Sequence, residues 1–335
     1  MRTNFLLKLG LTLAVTLALR TSSFGQGAAD GEFKLAFAEH KGQLKWSAPA
    51  FKAAQFSAKN NDKEIGVRGK NESSGVAFLG FLFLVPDQVP LTGTKCRDGA
   101  VGAEKKSNST LKILSLSEIT RPSGLPVSIV SYSTSGVEGK TTYMVRGLVA
   151  SEDICGDLEF YSNSTISPED PVLKNVFASY QLDDNYTPKF TDALFYAQTL
   201  YSSQMYREAA PAFERAIVKL REHPEGDLKT MTRVLTDQAG MSYGIAGDIP
   251  KARAIFEKAI AQDPDYPLYY YNLACADAQV NNLKDAQTHL RQAFERRANT
   301  IPGESMPDPT KDDSFLPYRS DKQFWTFLEG LPHGS

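Results

Sequence analysis

Side chains able to do chemistry are few and scattered. The four histidines, His40, His223, His289 and His333, lie far apart and have no metal-ligand spacing to a cysteine or to one another. No G-x-S-x-G, phosphate-binding loop or G-x-G-x-x-G is present. Ser109-Thr110-Leu111-Lys112 satisfies S-x-x-K, but no S-D-N or K-T-G accompanies it, so the nucleophile it would imply has no partners. The pairs Asp183-Asp184 and Asp312-Asp313 sit in turn contexts, where carboxylates cap and solvate the chain rather than exchange protons. Neither an enzyme nor a cofactor or metal site is expected. Of the three cysteines, Cys96 and Cys155 share one predicted domain and are read as a disulfide, the other reading being two separate buried thiols. Closing a loop of 59 residues would stabilise the fold by up to about 4 kcal/mol on the chain-entropy account. Cys275 falls in an apolar helical pattern and reads as a small buried residue.

The elements that must position these residues divide the chain in two. From Phe33 to about Ser167 the hydrophobic period is near two, punctuated by Gly, Asn, Ser and Pro. Strands are expected at 33–37, 54–58, 65–70, 76–85, 111–119, 127–132, 141–150 and 154–161, with hairpin loops at 69–75 and 135–139. Sequential strands without intervening helices imply an antiparallel sheet. Ala77 to Val85, the most apolar run of the mature chain, reads as a central strand. Gln88 to Lys106 fits neither period and has room for a short helix. A closing helix is expected to start with Ser167 as N-cap, Pro168 first and Asp170 completing the box, burying Val172, Val176, Phe177 and Tyr180. From Phe190 onward the period becomes helical.

At the N-terminus, Arg2 and Lys8 precede the apolar run Leu9 to Leu19, and Ser23-Phe24-Gly25 places small residues before a cut ahead of Gln26. That is the layout of a secretory signal peptide, residues 1–25, with a run too short to span a bilayer. Its removal takes three basic residues and no acid, moving the formal charge from −2 to −5. No basic stripe remains to track phosphates, so neither nucleic acid nor a membrane span is expected of the mature chain. The localisation expected is exported, periplasmic or secreted.

Three segments repeat an alanine, a large apolar residue four later and an alanine three beyond: Ala209, Phe213, Ala216; Ala252, Phe256, Ala259; Ala286, Leu290, Ala293. Gly240, Tyr243 and Pro264 complete the middle unit, and Tyr270, Leu273 and Ala274 serve the third. On these residues the region resembles the tetratricopeptide-repeat (TPR) family. The third unit departs from the pattern at Asp277 and Ala298, and the first keeps small Ala197. The second and third units are 34 residues apart, whereas the first and second are 43 apart. The excess maps to His223-Pro224-Glu225-Gly226-Asp227 or to a lengthened helix after it, at an entropic cost of about 1 kcal/mol. Asp312 to Asp321 followed by Phe324-Trp325-x-Phe327-Leu328 is similar to the endings of many bacterial TPR proteins, with Ser320 and Gln323 boxing a last helix. Given that likeness, the N-x-[ST] sequons at Asn71, Asn108, Asn163 and Asn185 read as incidental. The first domain, through Tyr143-x-Val145, Asp157-Leu158-Glu159-Phe160 and Phe177-Ala178-Ser179-Tyr180, resembles the end of PsbP/Mog1-type α/β domains.

The expected fold class is α+β: a mainly antiparallel sheet domain with a closing helix, then an all-α array of TPR-like hairpins. The expected divisions are a mobile start (26–32), the α+β domain (33–185), repeats at 190–232, 233–266 and 267–300, and a capping region (310–331). The resemblance implies protein–protein interaction or scaffolding through the concave face. Its partner-binding positions fall on Phe195, Gln198, Tyr201, Gln238, Met241, Tyr271, Asn272 and Gln279. A protein or peptide partner suits this aromatic, amide and methionine mixture; the other reading is that several of these residues pack against the first domain and that Asn272 is structural. The alternative is a small ligand or lipid bound by the first domain, with the repeats as scaffold.

Overall fold

The computed structural model describes residues 31–59, 62–86, 90–122, 124–135 and 140–332. The expected signal peptide (1–25), most of the expected start segment 26–32 and most of the expected 135–139 loop lie outside the described residues. Contacts divide the chain at Ser203/Gln204 into a sheet unit and a helical unit.

In the sheet unit, β1 (Glu32–Ala36) and β2 (Gln43–Ser47) pair antiparallel, and β10 (Gln181–Asp183) joins β2. The larger sheet contains β3 (Lys52–Lys59), β4 (Glu64–Lys70), β5 (Ala77–Leu84), β6 (Lys112–Ile119), β7 (Val127–Ser135), β8 (Thr141–Ser151) and β9 (Ile154–Ser162). Its order is β3-β4-β5-β9-β8-β7-β6, antiparallel throughout. β5 is interior, as its apolar run requires, and its side chains alternate between the two faces. On one face Phe78 and Phe160 meet Phe51, while Phe33 stacks on Trp46 at 5.1 Å. Gly80 is needed there: a Cβ would come within 2.7 Å of the Trp46 ring.

Two short strands escape the sequence reading. β2 is only five residues long, although Leu44 and Trp46 alternate inward; β10 has three. The segment 88–106 holds the helix α1 (Gly93–Ser107), capped by Thr92 and tied to β9 by the Cys96–Cys155 disulfide. The closing helix α2 (Pro171–Ser179) begins three residues later than the Ser167 box implies. The Asp170 carboxylate accepts from the Ser167 N–H at 2.9 Å, which spends the box on a turn and leaves Pro171 to start the helix. The inward stripe is therefore Leu173, Val176 and Phe177, with Tyr180 just beyond, while Val172 is exposed. Helix α3 (Phe190–Ser202) also groups with the sheet.

The helical unit contains α4 (Tyr206–Glu222), α5 (Leu228–Ile245), α6 (Ile249–Gln262), α7 (Pro267–Gln279), α8 (Leu283–Glu295) and α9 (Lys322–Glu329). The repeat spacing acts as read. A Cβ on Gly240 of α5 would lie 2.3 Å from the Phe256 ring of α6, so only glycine lets the pair close. Ala274, Ala286, Leu290 and Ala293 are fully buried between α7 and α8, where Phe324 and Leu328 of α9 seal the core. The cap forms with Asp321, not Ser320, as N-cap: its carboxylate accepts from Phe324 N. The long spacing between the first two units goes largely into helix: α4 and α5 have 17 and 18 residues, against 14, 13 and 13 in α6, α7 and α8.

Candidate partner-binding surface of the helical unit

The eight sequence-predicted positions divide between the two units. Phe195, Gln198 and Tyr201 lie on α3 in the sheet unit, where Phe195 packs edge-on against Phe56 at 4.9 Å. On the same helix the Tyr196 hydroxyl accepts from the Asp62 N–H and donates to the Lys59 carbonyl. In the helical unit, Met241, Asn272 and Gln279 come together around a recess of about 40 Å³, completed by Asp312 and Ser314. Gln238 is buried, and so is Tyr271, which donates from its hydroxyl to Asp312 at 3.0 Å. Asn272 donates to the buried Asp237 at 2.6 Å.

What covers this face is the chain's own segment 301–318. Ile301 enters the core formed by α5, α6 and α7, and Met306 bridges that core and the next. Glu304 accepts from the Tyr266 hydroxyl at 3.0 Å and from the Ile301 N–H at 3.1 Å. Phe315 is fully buried against Tyr271, and the Tyr318 hydroxyl donates to the Ala278 carbonyl. Burial drives the Asp237 carboxyl up to about 7, aided by the charge of Glu304 and opposed by the Asn272 hydrogen bond. Burial also raises Glu304, against its bonds from Tyr266 and Ile301. Pro302 to Pro309 reads as a proline-rich connector in sequence, whereas Phe315 falls in the expected capping region 310–331. The connector's anchors, Ile301 and Met306, are too few to make a periodic signal.

A different surface stays open. A groove of about 600 Å³ runs between α4 and α6 over α5. Its apolar lining includes Ile217, Val218, Leu228, Ile255 and Ala259. Val218 and Leu228 are 53% and 39% exposed. Its rim carries Arg221, Lys229, Arg233 and Lys258 against Glu214 and Asp263. Arg233 grips Asp263 through two hydrogen bonds of 2.5 and 3.0 Å, which hold that carboxyl below its ordinary range. Tyr243 donates to Glu214 at 2.8 Å. Among the described residues, Arg221 and Lys258 have no carboxylate within ion-pair distance. The signal for this surface was the 43-residue spacing: the lengthened ends of α4 and α5 supply Val218, Arg221, Leu228 and Lys229.

The departure at Asp277 also has a structural reason. Its carboxylate, wholly buried on α7, pairs with Arg253 of α6 and with His289 Nδ1 of α8 at 2.6 Å. Three successive helices are thus tied by one charge. Burial lowers the His289 pKa, with Arg253 acting in the same direction. Among the described residues no cluster of three His, Cys, Asp or Glu could hold a metal, and no helix is long and apolar enough to cross a membrane.

Antiparallel helices closed by small-to-aromatic contacts define a helical-repeat unit. The tetratricopeptide-repeat family's model matches residues 245–302 of it, from the end of α5 past α8. No curated protein matches the chain. Among solved structures, the Yersinia enterocolitica type III secretion translocator chaperone SycD is similar at 19% identity, over 42% of this chain and 90% of that one, with a TM-score of 0.29. The C-terminal TPR-containing domain of a putative FK506-binding protein from Plasmodium falciparum aligns at 17% identity, over 34% and 81%, with a TM-score of 0.27. A multi-domain immunophilin from Arabidopsis thaliana aligns at 9% identity, over 55% and 92%, with a TM-score of 0.25.

Proposed function

We propose that this chain is an exported interaction protein whose helical unit docks a protein partner in the groove between α4, α5 and α6. Tetratricopeptide repeats support protein–protein interaction as the role. The observation that carries the choice of surface is the pairing of exposed Val218 and Leu228 with Arg221 and Lys258, cations that have no carboxylate partner among the described residues. Such a groove fits an amphipathic segment with aliphatic anchors and acidic flanks. The face holding Met241, Asn272 and Gln279 enters only if the segment 301–318 leaves it. Export is supported by the leader-like residues 1–25 and by the Cys96–Cys155 pair, which suits an oxidising compartment. Mass analysis of protein recovered from the envelope or medium should give a chain starting at Gln26. Affinity purification with the full chain should recover a partner that the double variant Arg221→Glu, Lys258→Glu loses. Undiminished recovery by that variant would remove this surface from consideration.

A further inference from the structure

The seven-stranded sheet is unequally covered. One face carries the aromatic core, whereas α1 lies over the other at the β7–β9 end, packed through Cys96 and Val101 on Val130, Tyr132 and Leu148. Beside α1 this leaves a cleft of about 450 Å³, within the size range of small-molecule sites. Phe81 and Phe83 of β5 form its apolar wall, with Leu91 and Ala100 opposite.

The floor is charged. Arg146 of β8 meets Asp157 of β9 through Nε at 2.9 and 3.0 Å and through Nη2 at 2.5 Å. Glu159, two residues along the same face of β9, is 3.6 Å from the same guanidinium. One arginine therefore serves two carboxylates that are only 3% and 14% exposed, and it bonds only Asp157 closely. Glu64 stands at the rim, paired with Lys59 at 3.6 Å, and Lys95 of α1 is turned to the Pro90 carbonyl at 2.9 Å. Burial pushes Glu159, which adjoins the cleft lining, up to about 7 despite Arg146, with Asp157 and Glu104 of α1 adding to the rise. The Arg146 cluster sets one cation against two carboxylates.

The helix above it is bare on one side. Gly99 lines the cleft, and Gly102 follows one turn later; a Cβ on either would meet nothing within 4 Å, and neither has a positive φ. Glycine weakens a helix interior, and no packing contact here demands it. Its effect is room above Phe81 and the ion cluster.

We propose that this cleft binds a small organic ammonium: a cation that completes the Arg146–Asp157–Glu159 cluster and carries an apolar body against Phe81 and Phe83. A cation near aromatic faces and a partly buried carboxylate gains from both. To reach Arg146 an anion would have to displace Asp157, with Glu159 beside the same guanidinium.

The test uses the full chain and three probes of one shape: 4-phenylbutylamine, 4-phenylbutanol and 4-phenylbutyrate, titrated by calorimetry. The amine should bind about 10-fold or more tighter than the alcohol, from the added charge-assisted contact, and the carboxylate weakest. Glu159→Gln should bring the amine to the level of the alcohol while the thermal midpoint shows a folded chain. Gly99→Leu should abolish amine binding with an unchanged or raised midpoint, because leucine favours helix and fills the cleft. The preference for the amine should also widen from pH 5.5 to pH 8 as Glu159 loses its proton. Preference for the carboxylate, amine binding unaffected by Gly99→Leu, or no amine binding at millimolar concentration would each overturn the proposal. None of these results bears on the helical groove, so the two readings fail separately.

Discussion

Asp277 shows how much one side chain can hold. It lies without solvent exposure between Arg253 and His289, joining α6, α7 and α8. Removing the carboxylate would leave Arg253 without its buried counter-charge. Breaking a fully buried pair costs about 3–5 kcal/mol. Arg253 keeps 26% of its side chain exposed, so Asp277→Ala should cost about 3 kcal/mol, the low end. Urea unfolding of the full chain measures this, and a loss below about 1 kcal/mol would mean that the triad is solvated. Gly240 makes a second test at this scale. With Phe256 2.3 Å from the missing Cβ, Gly240→Ala should destabilise by about 1–3 kcal/mol through overpacking, despite alanine's better helix propensity. The Gly240–Phe256 contact was legible in the sequence, because a small residue and an aromatic at repeat spacing have one obvious use. Asp277 was legible only as a departure, since the arginine and histidine that satisfy it lie 24 and 12 residues away on other helices.

At the scale of elements, the stretch 302–309 departs most from its sequence reading as a connector, while 312–318 belongs to the region expected to cap the array. Together they cover the face formed by α5 and α7. Two neighbouring carboxyls meet there, Asp237 of α5 and Glu304 of the segment, each raised above its ordinary range by burial. Asp237 titrates near 4 in the unfolded chain and at about 7 in the folded one. The folded state holds that proton more tightly, so this contribution is complete below about pH 4 and is lost as pH rises through about 7. Asp237→Asn keeps a neutral side chain there at every pH. Its stability relative to the wild-type chain should therefore improve progressively between pH 5 and pH 8, as read by urea midpoints. A constant difference would show that Asp237 does not titrate in that window. The strands of the large sheet were readable because alternation and turn residues agree over seven or more residues. In the three-stranded sheet β1 was expected at 33–37, but β2 and β10 were not, because Leu44 and Trp46 alone, or a strand of three residues, display little alternation. Helix α3 has the same helical pattern as its successors, and sequence alone could not tell that its stripe meets β3 through Phe195 and Phe56.

For the whole molecule, the division of labour follows from what each unit leaves uncovered. The sheet unit leaves a cleft floored by ions, and the helical unit leaves the groove between α4 and α6. The extra nine residues between the first two repeats, visible in the sequence as a broken spacing, are what lengthen the walls of that groove. Because Arg221 and Lys258 stand at its rim without carboxylate partners among the described residues, association should weaken as salt rises. Raising ionic strength from about 0.05 to 0.5 M should reduce chiefly the association rate, readable by surface plasmon resonance once the partner is in hand. The most direct test places a photo-crosslinking side chain at Leu228 in one full-length chain and at Gln279 in another. The groove account predicts that the partner crosslinks from position 228 and not from 279, and that Arg221→Glu with Lys258→Glu abolishes the product. Crosslinking from position 279 alone, insensitive to those charge reversals, would contradict it.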